Sequence, residues 1–158
     1  GSNTSGHLTG SGGTRSTNVR FVDTNVLLYA ISQDPEEADK AARANEIIAA
    51  GGIGLSVQVL QEFYVQSTRA SRSDAITLDQ AAGLVEAWCR FPVQEVTVEV
   101  MRAALVTRSR FGVSYWDAAT LEAGRALGCS VVLSEDLDHG TDYDGIRVED
   151  PFRFVADG

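Results

Sequence analysis

From residue 19 onward, short apolar runs alternate with longer stretches whose apolar positions recur every three or four residues. The runs, at 19–22, 53–55, 93–96, 129–133 and 146–148, have strand length and are rich in β-branched residues. The stretches between them carry helix punctuation. Asp34-Pro35-Glu36-Glu37 opens one, and Gly51-Gly52 ends the Ala-rich helix expected over 38–50. Ser56 caps a helix over 57–68. On it Val59, Leu60, Phe63 and Ser67 form one stripe and Gln58, Glu62, Gln66 and Arg69 another, because residues three and four apart share a face. Thr77 and Gln80 have capping-box spacing and open a helix to residue 90. Thr97 caps a helix to residue 110, stopped by Gly112, and Ser114 with Asp117 opens the next, over 115–127. Two strands break in the same way, into Asp23-Thr24-Asn25 and into Ser134-Glu135-Asp136. The side-chain oxygens of such residues bond nearby backbone N–H groups and favour turns and caps. A Gly- and Asp-rich loop is expected over 138–145.

Strands alternating with helices require right-handed crossovers and a mainly parallel sheet covered on both faces. The expected fold is therefore α/β, a three-layer α/β/α sandwich with a five-stranded sheet, in one domain over 19–158. Residues 1–18 are mostly Gly, Ser, Thr and Asn and are set aside as a vector-derived or disordered segment. His7 lies there, which leaves His139 as the one histidine of the folded part. With 44% hydrophobic and 22% charged residues, the composition is that of an ordinary soluble domain. No apolar run approaches the ~20 residues of a membrane span, so a cytoplasmic location without a membrane partner is expected. Cys89 and Cys129 are too few for a disulfide framework or a zinc site and are expected to be two buried thiols.

The net charge of −9 argues against a broad basic platform for nucleic acid. It leaves room for an enzyme that holds a phosphodiester through metal ions, or for a protein that docks a basic partner. Of the 13 basic residues only Lys40 is a lysine, so phosphate contacts would use guanidinium forks. Arg108 and Arg110 lead towards Asp117 and are candidates for that task, against the simpler reading of two solvated side chains.

Four acids fall at comparable places: Asp23 after the first strand, Glu62 on the helix after the second, Asp117 in the first turn of a helix, Asp136 after the fourth strand. Each has an ordinary explanation by itself, as helix cap, solvated position, capping-box acid and turn residue. Jointly they point to a site, because turns at the carboxyl ends of parallel strands meet at the topological switch point where ligands collect. At ~5 Å and an effective dielectric of ~20, each like-charged pair there costs on the order of 3 kcal/mol. Protons or hard cations such as Mg²⁺ or Mn²⁺ would relieve that repulsion, and metal-assisted hydrolysis is the chemistry these residues best support.

The segments Val22-Asp23-Thr24-Asn25-Val26, Leu60-Gln61-Glu62-Phe63, Ser114-Tyr115-Trp116-Asp117-Ala118 and Leu133-Ser134-Glu135-Asp136-Leu137 closely resemble the four motifs of the PIN-domain family. They look in particular like those of VapC-type ribonuclease toxins from bacterial toxin–antitoxin pairs. The resemblance spans about residues 19 to 153, including the closing 146–152 segment. It implies a Mg²⁺- or Mn²⁺-dependent endoribonuclease acting on RNA, usually a homodimer, restrained by an antitoxin whose tail fills the active-site groove. It makes Asp23 a central metal ligand, Glu62 the helix-borne acid, Asp117 the third ligand and Asp136 a fourth that often acts through water. Asn25 and Ser134 match the polar residues that hold the acids, and Asp138-His139 receives no role. The dimer is expected through the 38–50 helix and the helix around Trp88.

Two rivals share the PIN-like fold: a non-catalytic interaction module with the acids as remnants, and a housekeeping RNA-processing nuclease. A phosphatase with an aspartyl nucleophile after the first strand fits poorly. It needs a second Asp where Asn25 stands and a well-placed lysine, whereas Lys40 belongs to a different helix.

Overall fold

A computed structural model describes residues 19–154; the segment set aside at 1–18 lies outside them, as do 155–158. Strand β1 (Arg20–Val22) passes through Asp23 into helix α1 (Thr24–Ala30). A single 3-10 turn (Pro35–Glu37) leads into α2 (Ala38–Ala50), which Gly51 ends at φ 69°, a left-handed conformation that glycine adopts without a Cβ clash. Next come β2 (Ile53–Ser56), α3 (Val57–Ser67), α4 (Leu78–Trp88) and β3 (Val93–Gln94). Helices α5 (Val98–Phe111) and α6 (Tyr115–Ala126) lead to β4 (Val131–Leu133), β5 (Asp142–Tyr143) and β6 (Ile146–Glu149).

The sheet runs in the order β3-β2-β1-β4-β6-β5. The five expected strands are present and pair in parallel, though β3 keeps only two of its four expected residues. A sixth, β5, joins the edge antiparallel to β6, inside the stretch expected to be loop. Asp144 and Gly145, at φ 56° and 94°, form the two-residue turn between them.

From β1 the chain steps outward to β2 and β3, then crosses back over β1 to β4. Reversing the direction of travel under a right-handed crossover rule sends α5 and α6 to the opposite face from α1 to α4. Helix α6 accordingly lies across β2, β3, β4 and β6. It comes close at Gly124, where an added Cβ would stand 3.2 Å from both Phe21 Cβ and Val132 Cγ2. The core on the sheet is built from Phe21, Leu27, Ile47, Leu55, Phe63, Leu121, Leu133 and Ile146, all fully buried.

One expectation is corrected. Cys129 is buried, but Cys89 is exposed, because it follows the last turn of α4 while its neighbour Trp88 turns inward. On the two helices where a dimer face was expected, Ala44, Ile47 and Trp88 are buried, the last against Phe63 with ring centroids 4.7 Å apart, while Leu78 at the start of α4 is exposed. Val98, Met101, Leu105 and Val106 of α5 are exposed as well.

Candidate functional site

The switch point of this sheet lies between β1 and β4, and the turns that follow both strands are stitched together there. The Asp23 N–H donates to the Leu133 carbonyl at 3.0 Å, extending the ladder one step past β1. Asp23 Oδ1 accepts from the Thr24 N–H at 2.8 Å and so caps α1. Its Oδ2 accepts from Ser134 Oγ at 2.7 Å, and from Asn25 Nδ2 at 3.5 Å. The buried Ser134 hydroxyl in turn accepts from the Asp136 N–H at 3.1 Å. Asn25 completes the stitch: its Nδ2 reaches Asp136 Oδ2 at 3.3 Å, and its Oδ1 accepts from the Glu135 N–H at 3.3 Å.

Glu62 leaves the solvated stripe on which its helix places it. Thr24 Oγ1 donates to its Oε2 at 2.8 Å and Gln58 Nε2 to its Oε1 at 3.1 Å, so α3 is tied to the turn after β1. Asp117 makes only half of a capping box. Its N–H donates to Ser114 Oγ at 3.1 Å, but its carboxylate returns no bond among the described residues, unlike the Gln80 side chain, which accepts from the Thr77 N–H at 2.9 Å. Asp23, Glu62, Asp117 and Asp136 all line one small polar cavity of about 110 Å³, together with Asn25, Gln66, Trp116 and Thr120.

Asp23 is only 7% exposed. Burial, opposed by the bonds from Ser134 and Thr24 and reinforced by the charges of Asp136 and Glu62, pushes its carboxyl up to about 6. Desolvation is the main cause, and the repulsion inferred from the sequence enters as a smaller part, through Asp136 and Glu62. Oxygen donors of this kind suit Mg²⁺ or Mn²⁺. Among the described residues, no three acids stand together as a ready metal cage. Magnesium asks for less: it is commonly held by one or two carboxylates, keeps several waters, and takes the remainder from substrate phosphates. The donor chemistry fits such an ion, with Asp23 as the anchor.

Gln58 holds Glu62 as their shared stripe implies, but other neighbours carry no signal that the sequence made readable. The Thr24 contact to Glu62 spans 38 residues of chain. Lys40, assigned by the sequence to an unrelated helix, reaches the turn after β4. Its Nζ lies 3.1 Å from both Glu135 carboxylate oxygens and 3.2 Å from the Tyr29 hydroxyl, which itself donates to Glu135 at 2.9 Å. The ammonium is thereby held by Glu135. Arg110 pairs with Asp144 at 3.1 Å on the surface, and His139 Nδ1 accepts from the Asp150 N–H at 3.0 Å. A larger groove of about 690 Å³ lies between α3 and α4; its walls, among them Leu60, Tyr64, Val65 and Val85, are mainly apolar, with Glu86 and Cys89 also lining it.

A parallel sheet with acids gathered over its switch point defines an acid-centred α/β domain. The family model of the PIN domain matches residues 20–141, and the chain belongs to that family. A toxin–antitoxin complex from Klebsiella pneumoniae is similar in structure, with a TM-score of 0.62 and 16% identity over 85% of this chain and 99% of the other. VapC20 of Mycobacterium tuberculosis, a sarcin–ricin loop cleaving toxin, gives a TM-score of 0.57 and 20% identity over 73% of this chain and 88% of its own. DNA-bound VapBC from Salmonella typhimurium gives 0.56 and 19% over 84% and 98%. Identities this low establish a shared fold. A search of curated protein sequences finds no match.

Proposed function

We propose that this chain is a metal-dependent endoribonuclease, the toxin of a toxin–antitoxin pair, that hydrolyses RNA phosphodiester bonds with Mg²⁺ or Mn²⁺. The observation that carries the reading is one polar cavity, at the switch point of a PIN domain, lined by all four acids. A divalent ion bound there would activate water and stabilise the leaving oxygen. The chain's own residues prepare the place. Asp23, fixed by Thr24 and Ser134, presents a buried carboxylate whose ionisation favours a cation beside it. Glu62 is held by both oxygens, whereas the unbonded Asp117 carboxylate is able to turn towards an ion or its water. Asp136, the most exposed of the four, sits where a water could intervene.

The partners in this reading are an RNA substrate and an antitoxin, in the cytoplasm and as a homodimer. Support for the antitoxin comes from neighbours solved as toxin–antitoxin complexes and from a net charge of −9 that suits a basic segment. Among the described residues no helix is long and apolar enough to cross a membrane.

The test is cleavage of single-stranded RNA with Mg²⁺. Asp23→Asn and Asp117→Asn should each lower the rate at least 100-fold with an unchanged circular dichroism spectrum, and Asp136→Asn should lower it less. Full activity in Asp117→Asn would reduce that residue to a helix cap. An intact chain that binds RNA but never cleaves it would favour the interaction module.

A further inference from the structure

We propose that Trp116 is a stacking platform for a nucleobase of single-stranded RNA, seated beside the acids; the inference rests on the ribonuclease reading and names how that site holds its substrate. The chain has two tryptophans, and they differ sharply. Trp88 is 5% exposed within the core, whereas Trp116, in the first turn of α6, is 63% exposed and lines the acidic cavity. Tyr115 meets its ring edge to face, with centroids 5.0 Å apart at 75°. That contact fixes the ring and, in a T-shaped geometry, leaves at least one indole face open. Lys40, Arg90 and Arg110 sit over the rings of Tyr29, Phe91 and Phe111, but among the described residues no cation covers Trp116.

Charge makes such a platform useful. A chain at −9, with four acids at its site, gains little from the general attraction between basic surface and phosphate. Stacking needs no charge, accepts every base, and is the usual way proteins hold unpaired RNA. Trp116 and Asp117 line the same cavity, so a base resting on the ring brings its flanking phosphate towards the acids. Gln66 lines the same cavity, and its side-chain amide has no hydrogen-bond partner among the described residues, which leaves a donor and an acceptor for a base edge. The ring shares its cavity with Asp23, Asn25, Asp117 and Thr120, so a base stacked on it lies beside the acids read as the cleavage site.

Binding of a labelled single-stranded RNA 12-mer, read by anisotropy in the Asp23→Asn background, tests the proposal beside an abasic ribose-phosphate oligomer of equal length. Trp116→Ala should weaken RNA binding about tenfold, Trp116→Phe should recover most of it, and abasic binding should be the same in all three. In the otherwise unsubstituted chain, Trp116→Ala should raise KM by a similar factor and leave kcat within about twofold. Base-bearing RNA, but not the abasic oligomer, should quench the emission of a Trp88→Phe variant, in which Trp116 is the one remaining tryptophan. Unchanged RNA binding by Trp116→Ala, beside intact cleavage, would overturn this proposal alone and leave the ring to a protein contact. An equal loss on the abasic oligomer would also overturn it. Failure of the unsubstituted chain to bind or cleave RNA would overturn the nuclease reading with it.

Discussion

Asp23 shows how one side chain holds two positions at once. From the sequence it reads as either a helix cap or a ligand; in the structure one oxygen caps α1 while the other faces Ser134 and the remaining acids. The alternatives were local and the resolution is not, since it depends on a hydroxyl 111 residues away. Titration should expose the arrangement. A carboxyl raised from 3.8 to about 6 favours folding while protonated, and that advantage disappears as pH rises through 6. The metal-free chain should therefore lose about 3 kcal/mol through this group between pH ~3 and pH ~8. Asp74 titrates in the opposite sense, held low by the Gln33 N–H and by Arg72, so the quantity to measure is the difference between the parent chain and Asp23→Asn. Urea unfolding should show the variant gaining on the parent as pH rises; a constant difference would mean that Asp23 is not strained. Mg²⁺ should reverse the penalty above pH 6. At a hundred times its dissociation constant it should add about 2.7 kcal/mol, or roughly 5–10 °C in Tm, to the parent and much less to Asp23→Asn.

Among the elements, those with strong punctuation were legible. Thr77 with Gln80, Ser56, Thr97, Gly51 and Gly112 mark helix ends in the structure as in the sequence. The short strands were harder. β3 is cut to Val93–Gln94, and β5 is two residues with an exposed Asp, too brief for an alternation to register. The Asp144-Gly145 pair was the available clue, because that dipeptide favours the turn of a tight hairpin. Helix α6 makes a sharper test of how an element serves the site, since it carries Asp117 at one end and Gly124 against the sheet. Gly124→Ala gains about 1 kcal/mol of helix propensity but meets Phe21 and Val132 at 3.2 Å. Overpacking of a tight core costs about 1–3 kcal/mol, so a net loss of about 1 kcal/mol is expected in chemical unfolding. A stabilised variant would show that α6 can lift from the sheet freely.

At the level of the whole molecule, the order of the strands is what gathers the acids. Neither composition nor net charge contained that order; alternation of strands and helices gave the class, and the motifs gave the positions. What no local pattern could supply was the facing of α3 towards the turn after β1, which turns Glu62 from a surface residue into a wall of the cavity. Apolar surface is hard to read for the same reason: periodicity names a stripe without saying what covers it. In the structure Val98, Met101 and Leu105, spaced three and four residues apart along α5, share one exposed face. Self-association is therefore expected through α5. Light scattering at tens of micromolar should give a dimer for the parent and a monomer for Leu105→Arg, and a monomeric parent would remove the expectation.

The Ser134 hydroxyl joins the turn after β1 to the turn after β4, near opposite ends of the chain. During synthesis, Asp23, Glu62 and Asp117 leave the ribosome before the strand that locks the first of them in place. Contacts so distant in sequence close late in folding, after the intervening chain is available. A nascent chain ending at residue 128 would hold three of the acids but neither the fourth nor the clasp. Under the proposed activity, cleavage would wait until β4 and the turn after it had emerged.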